Sequence, residues 1–122
     1  MQQIERWLPI KGYENYYEVS NLGNVRSVDR TIILTNGRFH HRKSKVLALQ
    51  KNSHNGLLQI MLIVHKKAKL HYVHRLVAEA FVNNPYELEN VTHINGDDLD
   101  NRAQNLRYVS KSNKKNKKLN LI

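Results

Sequence analysis

The chain has no cysteine, and it has only two prolines and five glycines. Without cysteine, disulfide bonds and cysteine-ligated zinc sites are excluded, so packing alone must hold the core. The longest apolar run, residues 57–64, is interrupted by Gln59 and is far too short to cross a bilayer. Met1 opens no segment that resembles a signal peptide. These absences predict a soluble, cytoplasmic protein with no membrane partner.

Acidic residues are absent from a long middle part of the chain. The 122 residues carry a formal net charge of +10, and the isoelectric point is about 10.0. No Asp or Glu occurs in residues 30–78, residues 76–100 contain acids but no Lys or Arg, and only basic charges follow. Such blocks suit a protein that holds DNA phosphates along its flanks and a divalent cation near its middle. A solvated surface and an RNA-binding protein are the alternatives that charge alone leaves open.

A β-hairpin is predicted near the N-terminus. Residues 16–20 and 25–28 are β-prone runs, and the Asn- and Gly-containing residues 21–24 between them suit a turn. Arg26 on the return strand has two open interpretations. Either it contacts a DNA phosphate, or the hairpin is a structural cap that packs Trp7 and the tyrosines.

A second, strongly basic hairpin is predicted next. Residues 30–34 and 39–47 are extended runs on either side of Asn36-Gly37, which is a strong signal for a two-residue hairpin turn. A two-stranded ribbon is slim enough to lie in a groove of duplex DNA, where Arg and Lys meet phosphates or base edges. An ordinary surface hairpin is the alternative.

The core is predicted to form in the middle of the chain. Residues 57–64 suit a buried strand, 65–69 a turn, and 70–73 the partner strand. Residues 74–82 have apolar positions at i, i+1, i+4 and i+5, the pattern of one helix face, and the helix should end before Pro85. This helix is predicted to pack on the strands.

The motif that bears on function follows this helix. His93 stands between apolar residues and just before Asn95-Gly96, the commonest dipeptide at a strand reversal, so it is predicted at a strand end. Residues 107–109 suit a return strand. A helix that begins near Ser110 or Ser112 is predicted after it. The arrangement is therefore strand, loop, strand and helix.

Several residues of this motif carry a family resemblance: His93, Gly96, Asn101, Asn105, Leu106, Val109 and Asn113. They resemble the HNH endonucleases of the phage and intron homing type. Residues 73–81 with Asn84-Pro85 are similar to the same family, and residues 7–27 resemble the modular segment that often accompanies these nucleases. The resemblance implies an α+β fold, with N-terminal antiparallel hairpins in residues 1–52 and a ββα-metal nuclease core in residues 53–122.

The resemblance also implies roles for individual residues. His93 is the expected general base of phosphodiester hydrolysis, and Asn105 is expected to hold the loop and orient that base. Thr92 and Asn113 stand at the positions of metal ligands, with one Mg²⁺ or Mn²⁺ expected per site. Thr92 departs from the family's Asp or Asn, and a neutral hydroxyl is the weaker ligand, so a water or Asp97, Asp98 or Asp100 would have to compensate. Asn116 is expected to support the metal site or the substrate.

Double-stranded DNA is the expected partner, and basic residues in both halves of the chain are predicted to contact it: Arg26, Arg38, Arg42, Lys43, Lys45, Arg75, Lys114 and Lys115. The expected function is a metal-dependent HNH DNA endonuclease that nicks DNA or cuts both strands, and a homodimer is one way to cut both. The alternative is a catalytically weak or inactive DNA-binding protein that retains the fold. The resemblance places either in the cytoplasm of a bacterial or phage-infected cell.

Overall fold

The structure is a computed structural model, and it describes residues 3–110. In chain order, the elements of this part are β1 (Trp7–Pro9), β2 (Tyr17–Ser20), β3 (Val25–Ser27), β4 (Arg30–Ile33), β5 (Phe39–Arg42), β6 (Lys45–Val46), β7 (Gln50–Lys51), β8 (Leu58–Val64), β9 (Lys67–Tyr72), α1 (Val73–Phe81), β10 (Asn90–His93), a 3-10 helix (Ala103–Asn105) and β11 (Leu106–Val109). They form small antiparallel sheets around one helix, which confirms the α+β class. No helix in residues 3–110 is long and apolar enough to span a membrane.

The N-terminal sheet has the strand order β1-β2-β3-β6. The predicted first hairpin is confirmed: β2 and β3 pair in antiparallel fashion, and the facing residues Val19 and Val25 are fully buried. The predicted strand 39–47 is not continuous. Strand β5 pairs with β4, whereas β6 pairs with β3. Between β5 and β6, the Ser44 amide donates a hydrogen bond to the Asp29 carboxylate, which ties this part of the chain to the β3–β4 connection.

The central sheet has the order β7-β8-β9. Its β8–β9 connection is shorter than the predicted turn 65–69, because β9 pairs from Lys67 onward opposite Val64. The connection is a two-residue turn in which His65 and Lys66 both have positive φ, 52° and 64°. Two left-handed residues match the twist of the paired strands, although neither is the glycine or asparagine that usually signals such a turn.

Helix α1 packs on the strands, as predicted, and supplies four of the ten buried hydrophobic residues of the core. Its residues Val73, Leu76, Val77 and Ala78 are buried together with side chains of β2, β3, β8 and β11. Strand β8 shows only one buried face, formed by residues 60 and 62, and its other face is exposed. The helix thereby joins the N-terminal sheet, the central sheet and the last strand pair into one core.

The last strand pair presents the motif that bears on function. Strands β10 and β11 are antiparallel, with Thr92 opposite Arg107 and His93 opposite Leu106. His93 is therefore at a strand end, as predicted. The helix predicted to follow, which would complete a ββα unit, lies outside the described residues. The predicted boundary between the N-terminal segment, residues 1–52, and the nuclease core, residues 53–122, falls between the paired strands β7 and β8. This division into two domains stays a prediction.

Candidate functional site

His93 is held at one ring nitrogen. Its side chain is only 6% exposed, and its Nε2 lies 2.6 Å from Oδ1 of Asn101. A carbonyl oxygen only accepts hydrogen bonds, so Nε2 must carry the hydrogen in this arrangement. The lone pair of the neutral ring is then on Nδ1. That atom lies 3.6 Å from Oδ1 of Asp98, whose side chain is 54% exposed.

Asn105 ties the loop after His93 to the return strand. Its Oδ1 accepts a hydrogen bond from the Asn95 amide at 3.1 Å, and its Nδ2 donates to Asn95 Oδ1 at 3.0 Å and to the Asp100 carbonyl at 2.9 Å. Its backbone carbonyl accepts from the Ile94 amide at 2.8 Å. The side chain is buried. It therefore joins both ends of the loop that contains Asp98 and Asn101.

The Asp100 carboxylate is paired with the Arg102 guanidinium. The two side chains form paired hydrogen bonds of 2.8 Å, and Asn95 donates a further one of 3.0 Å to the same carboxylate. The side-chain hydrogen bonds from Arg102 are the main reason that the pKa of Asp100 is lowered from 3.8 to about 2. These contacts favour a role of Asp100 in holding the loop, and compensation for Thr92 by Asp97 or Asp98 stays a prediction.

We expect Asp100→Asn to lower the free energy of unfolding at pH 7 by about 1 kcal/mol. This value is smaller than the pKa shift alone would give, because solvent screens the interaction with the half-exposed Arg102. A carboxyl whose pKa is lower in the folded state stabilises the fold above its unfolded pKa of about 4. This contribution is lost as the pH falls through about 2. Urea unfolding of both proteins at several pH values measures it, with Glu89→Gln as an exposed control. A deficit that persists unchanged at the lowest pH would contradict the assignment.

The donors around His93 suit a hard cation only in part. In residues 3–110, no group of three or more His, Cys, Asp and Glu residues is arranged to hold a metal. Asp97 accepts a hydrogen bond from the Leu99 amide, and Asp98 has a carboxylate near His93. Thr92 adds a hydroxyl next to His93 in β10. These oxygens suit Mg²⁺ chemically, and the second predicted ligand, Asn113, lies outside the described residues.

Two residues near His93 have roles that the sequence does not predict. His74 in α1 is buried, and its ring lies 5.2 Å from the ring of His93, centroid to centroid. Asn101 makes the Nε2 contact. Both residues stand in segments that resemble the family, and this resemblance is the only sign in the sequence that they belong to the site. Neither their spacing nor their polarity indicates which side chain contacts His93.

The basic residues predicted to contact DNA are found in different surroundings. Arg42, Lys43 and Lys45 line an open cavity of about 520 Å³ together with His40, His41, Arg30 and Tyr16. Arg38 is exposed at the turn of the second hairpin, and Arg75 is half-buried on α1. Lys114, Lys115 and Asn116 lie outside the described residues.

Arg26 has a structural environment. Its Nη2 lies 2.7 Å from Oε1 of Glu18, its Nε donates to the same oxygen, and its guanidinium stacks 4.1 Å above the Trp7 ring. These contacts favour the structural cap over the phosphate contact, and a role in DNA binding stays a prediction.

Comparisons with known proteins find relatives of both halves of the chain. Residues 71–115 match the HNH endonuclease family, and residues 5–63 match the NUMOD4 motif. The chain is 36% identical over 113 residues to an uncharacterized HNH endonuclease of Acanthamoeba polyphaga mimivirus, covering 90% of this chain and 24% of that protein. It is 36% identical over 104 residues to the DNA endonuclease I-HmuI of Bacillus phage SP01, covering 85% of this chain and 52% of that protein.

A solved structure is similar as well. The HNH homing endonuclease I-HmuI, from a study of its DNA binding and cleavage, matches with a TM-score of 0.72 and 32% identity, over 95% of this chain and 59% of that chain. The chain thus spans between about a quarter and about three fifths of the relatives it matches. The chain therefore combines a NUMOD4 motif with an HNH endonuclease domain that follows it, and it is homologous to the HNH homing endonuclease I-HmuI.

Proposed function

We propose that the chain is a metal-dependent DNA endonuclease in which His93 is the general base. The observation that carries this proposal is the pair of ring contacts: Nε2 is held by Asn101, and Nδ1 lies at the exposed loop near Asp98. A buried imidazole fixed at one nitrogen presents the other as a base of defined direction. The family match supports phosphodiester hydrolysis as the reaction.

Each residue of the site would contribute one part of the hydrolysis. Nδ1 of His93 would take the proton of the attacking water, and Asn101 would keep the ring oriented while it does so. Asn105 would hold the loop that brings Asp98 and Asn101 to the histidine. Thr92, Asp98 and Asn113 are the residues that would hold Mg²⁺ or Mn²⁺, which when bound neutralises charge on the phosphate and the leaving oxygen.

Double-stranded DNA is the proposed substrate. The cavity beside the second hairpin combines Arg30, Arg42, Lys43 and Lys45 with two histidines, and no Asp or Glu is among its lining residues. A ribbon with this charge would bind phosphates along a groove. The solved relative is described as binding and cleaving DNA, which supports the same substrate class here. We place this activity in the cytoplasm of a bacterial or phage-infected cell.

A plasmid assay tests the proposal. Supercoiled plasmid is incubated with the protein in Mg²⁺, in Mn²⁺ or in excess chelator, and nicked and linear forms are separated on a gel. We expect nicking in the presence of metal and none with chelator. Linear product formed early would indicate paired active sites and hence a homodimer. Retarded but uncut plasmid in both metals would contradict the proposal.

Thr92 favours a second candidate, a DNA-binding protein with weak or absent catalysis. Replacing a carboxylate ligand by a neutral hydroxyl lowers affinity for a hard cation. If weak metal binding at Thr92 limits cleavage, Thr92→Asp should lower the Mg²⁺ concentration needed for half-maximal nicking by roughly tenfold or more. Ser53→Asp adds the same charge in an exposed loop and should leave nicking unchanged. Activity only in Thr92→Asp would establish the second candidate, and equal metal requirements in all three proteins would reject Thr92 as a ligand position.

A further inference from the structure

The turn between β2 and β3, residues 21–24, packs directly against the loop that contains Asn101. The Asn21 carbonyl accepts a hydrogen bond of 2.8 Å from the Ala103 amide. A Cβ atom added at Gly23 would lie 3.1 Å from Asn101 Cβ and 3.2 Å from the Asn101 carbonyl oxygen. Gly23 also has a φ of +93°, which side chains rarely adopt. Two separate constraints therefore favour glycine at this contact.

The turn is itself anchored within the N-terminal segment. The buried side chain of Asn21 accepts a hydrogen bond of 2.6 Å from the Arg6 amide and donates one of 3.1 Å to the Ile4 carbonyl. Its backbone amide donates to the Arg6 carbonyl at 3.1 Å. Asn21, two residues before Gly23, is therefore held by three hydrogen bonds to residues 4 and 6, and none of them involves Asn101.

Asn101 is less well held by its own polar contacts. It is 4% exposed, and its Nδ2 has no hydrogen-bond partner within residues 3–110. Because a buried amide without a partner is unfavourable, packing must hold the side chain in place. On the N-terminal side, Gly23 lies so close that an added Cβ would be 3.1 Å from Asn101 Cβ. The position of the oxygen that meets His93 therefore depends on the 21–24 turn.

The tautomer of His93 depends in turn on that oxygen. With Asn101 in place, the ring hydrogen is on Nε2 and the lone pair is on Nδ1. The Asp98 carboxylate, 3.6 Å from Nδ1, is a competing acceptor that would favour a hydrogen on Nδ1. If Asn101 were displaced, the two tautomers would compete, and the second one cannot accept a proton at Nδ1.

We propose that the 21–24 turn of the NUMOD4 motif, acting through Gly23 and Asn101, is a positioning element that keeps His93 in the tautomer with hydrogen on Nε2. The effect on cleavage rests on the function proposed above. The effect on the tautomer does not, because it concerns the folded protein without DNA.

Gly23→Ala is the main test, and Gly12→Ala is its matched control. Gly12 has a similar φ of +88°, but a Cβ there meets nothing within 4 Å, so the control reproduces the backbone strain without the contact. We expect Gly23→Ala to lower kcat roughly 10- to 100-fold with KM for DNA unchanged, since a displacement of about 1 Å is costly in an active site. Gly12→Ala should retain the wild-type kcat.

Nitrogen chemical shifts of the His93 ring at about pH 8 provide the second readout. They are assigned by their loss in His93→Gln. Wild type and Gly12→Ala should show hydrogen on Nε2, whereas Gly23→Ala and Asn101→Leu should show a substantial population with hydrogen on Nδ1. Asn101→Asp keeps an acceptor oxygen and should restore the wild-type tautomer.

The outcomes separate the two proposals. Tautomer shifts as expected, in a protein that does not cut DNA, would support the positioning element and reject the nuclease function. A wild type that cleaves, with Gly23→Ala and Asn101→Leu unchanged in tautomer and kcat, would overturn the positioning element alone. Equal losses of kcat in Gly23→Ala and Gly12→Ala would also overturn it, because strain would then explain both.

Discussion

His93→Ala should lower the rate of plasmid cleavage by about 10²- to 10⁴-fold, the usual contribution of a positioned general base. The variant removes Nδ1, which is the only atom of the site that we assign to proton transfer. DNA binding should persist, because the basic residues around the second hairpin are separate from β10. Single-turnover cleavage with excess protein measures the rate, and gel retardation at the same salt concentration measures binding.

His54→Ala is the matched control for this prediction. His54 is an exposed histidine in the loop between β7 and β8, so its removal changes composition in the same way without touching the site. It should cleave at the wild-type rate. Cleavage by His93→Ala at that rate would remove His93 from the mechanism, and loss of both binding and cleavage would indicate that the variant disturbs the fold or the DNA surface.

Local patterns predict the two N-terminal hairpins, the β8–β9 pair, helix α1 and the strand end at His93, but not the short strands β1 and β7. The turn at 21–24, the hairpin at Asn36-Gly37 and the apolar face of α1 depend on neighbouring residues, so short stretches of sequence are informative about them. Tertiary contacts decided the features that were not predicted. Strand β6 pairs with β3 beside the Asp29–Ser44 hydrogen bond, and both contacts join residues that no periodicity relates.

The candidate site likewise contains residues that the sequence predicts and contacts that it does not. His93 and Asn105 stand out by type and by family resemblance, and the structure places them at the two ends of the connection between β10 and β11. The contact between Asn101 and Gly23 joins residues far apart in the chain, and no charge or hydrophobic pattern marks it. The resemblance likewise does not show that Arg26 pairs with Glu18, because the same arginine on a strand suits a phosphate contact equally well.

Asn105→Ala should combine a loss of stability with a loss of cleavage. The substitution removes three side-chain hydrogen bonds, two with Asn95 and one with the Asp100 carbonyl. At about 1 kcal/mol for each bond, the free energy of unfolding should fall by about 2–4 kcal/mol. Urea unfolding measures this loss, and the cleavage rate is compared at a temperature where both proteins are fully folded.

Gln104→Ala distinguishes a specific role of Asn105 from a general sensitivity of the 3-10 helix. Gln104 is the preceding residue, carries the same amide group and is exposed, so its truncation should change stability by less than about 0.5 kcal/mol. If Asn105→Ala is no less stable than Gln104→Ala, the loop is held by other contacts. If it is less stable but, while folded, cleaves at the wild-type rate, Asn105 stabilises the loop without orienting His93. Slow cleavage by the folded variant would instead support the orienting role, because the loop that Asn105 ties together contains Asn101, which fixes the base.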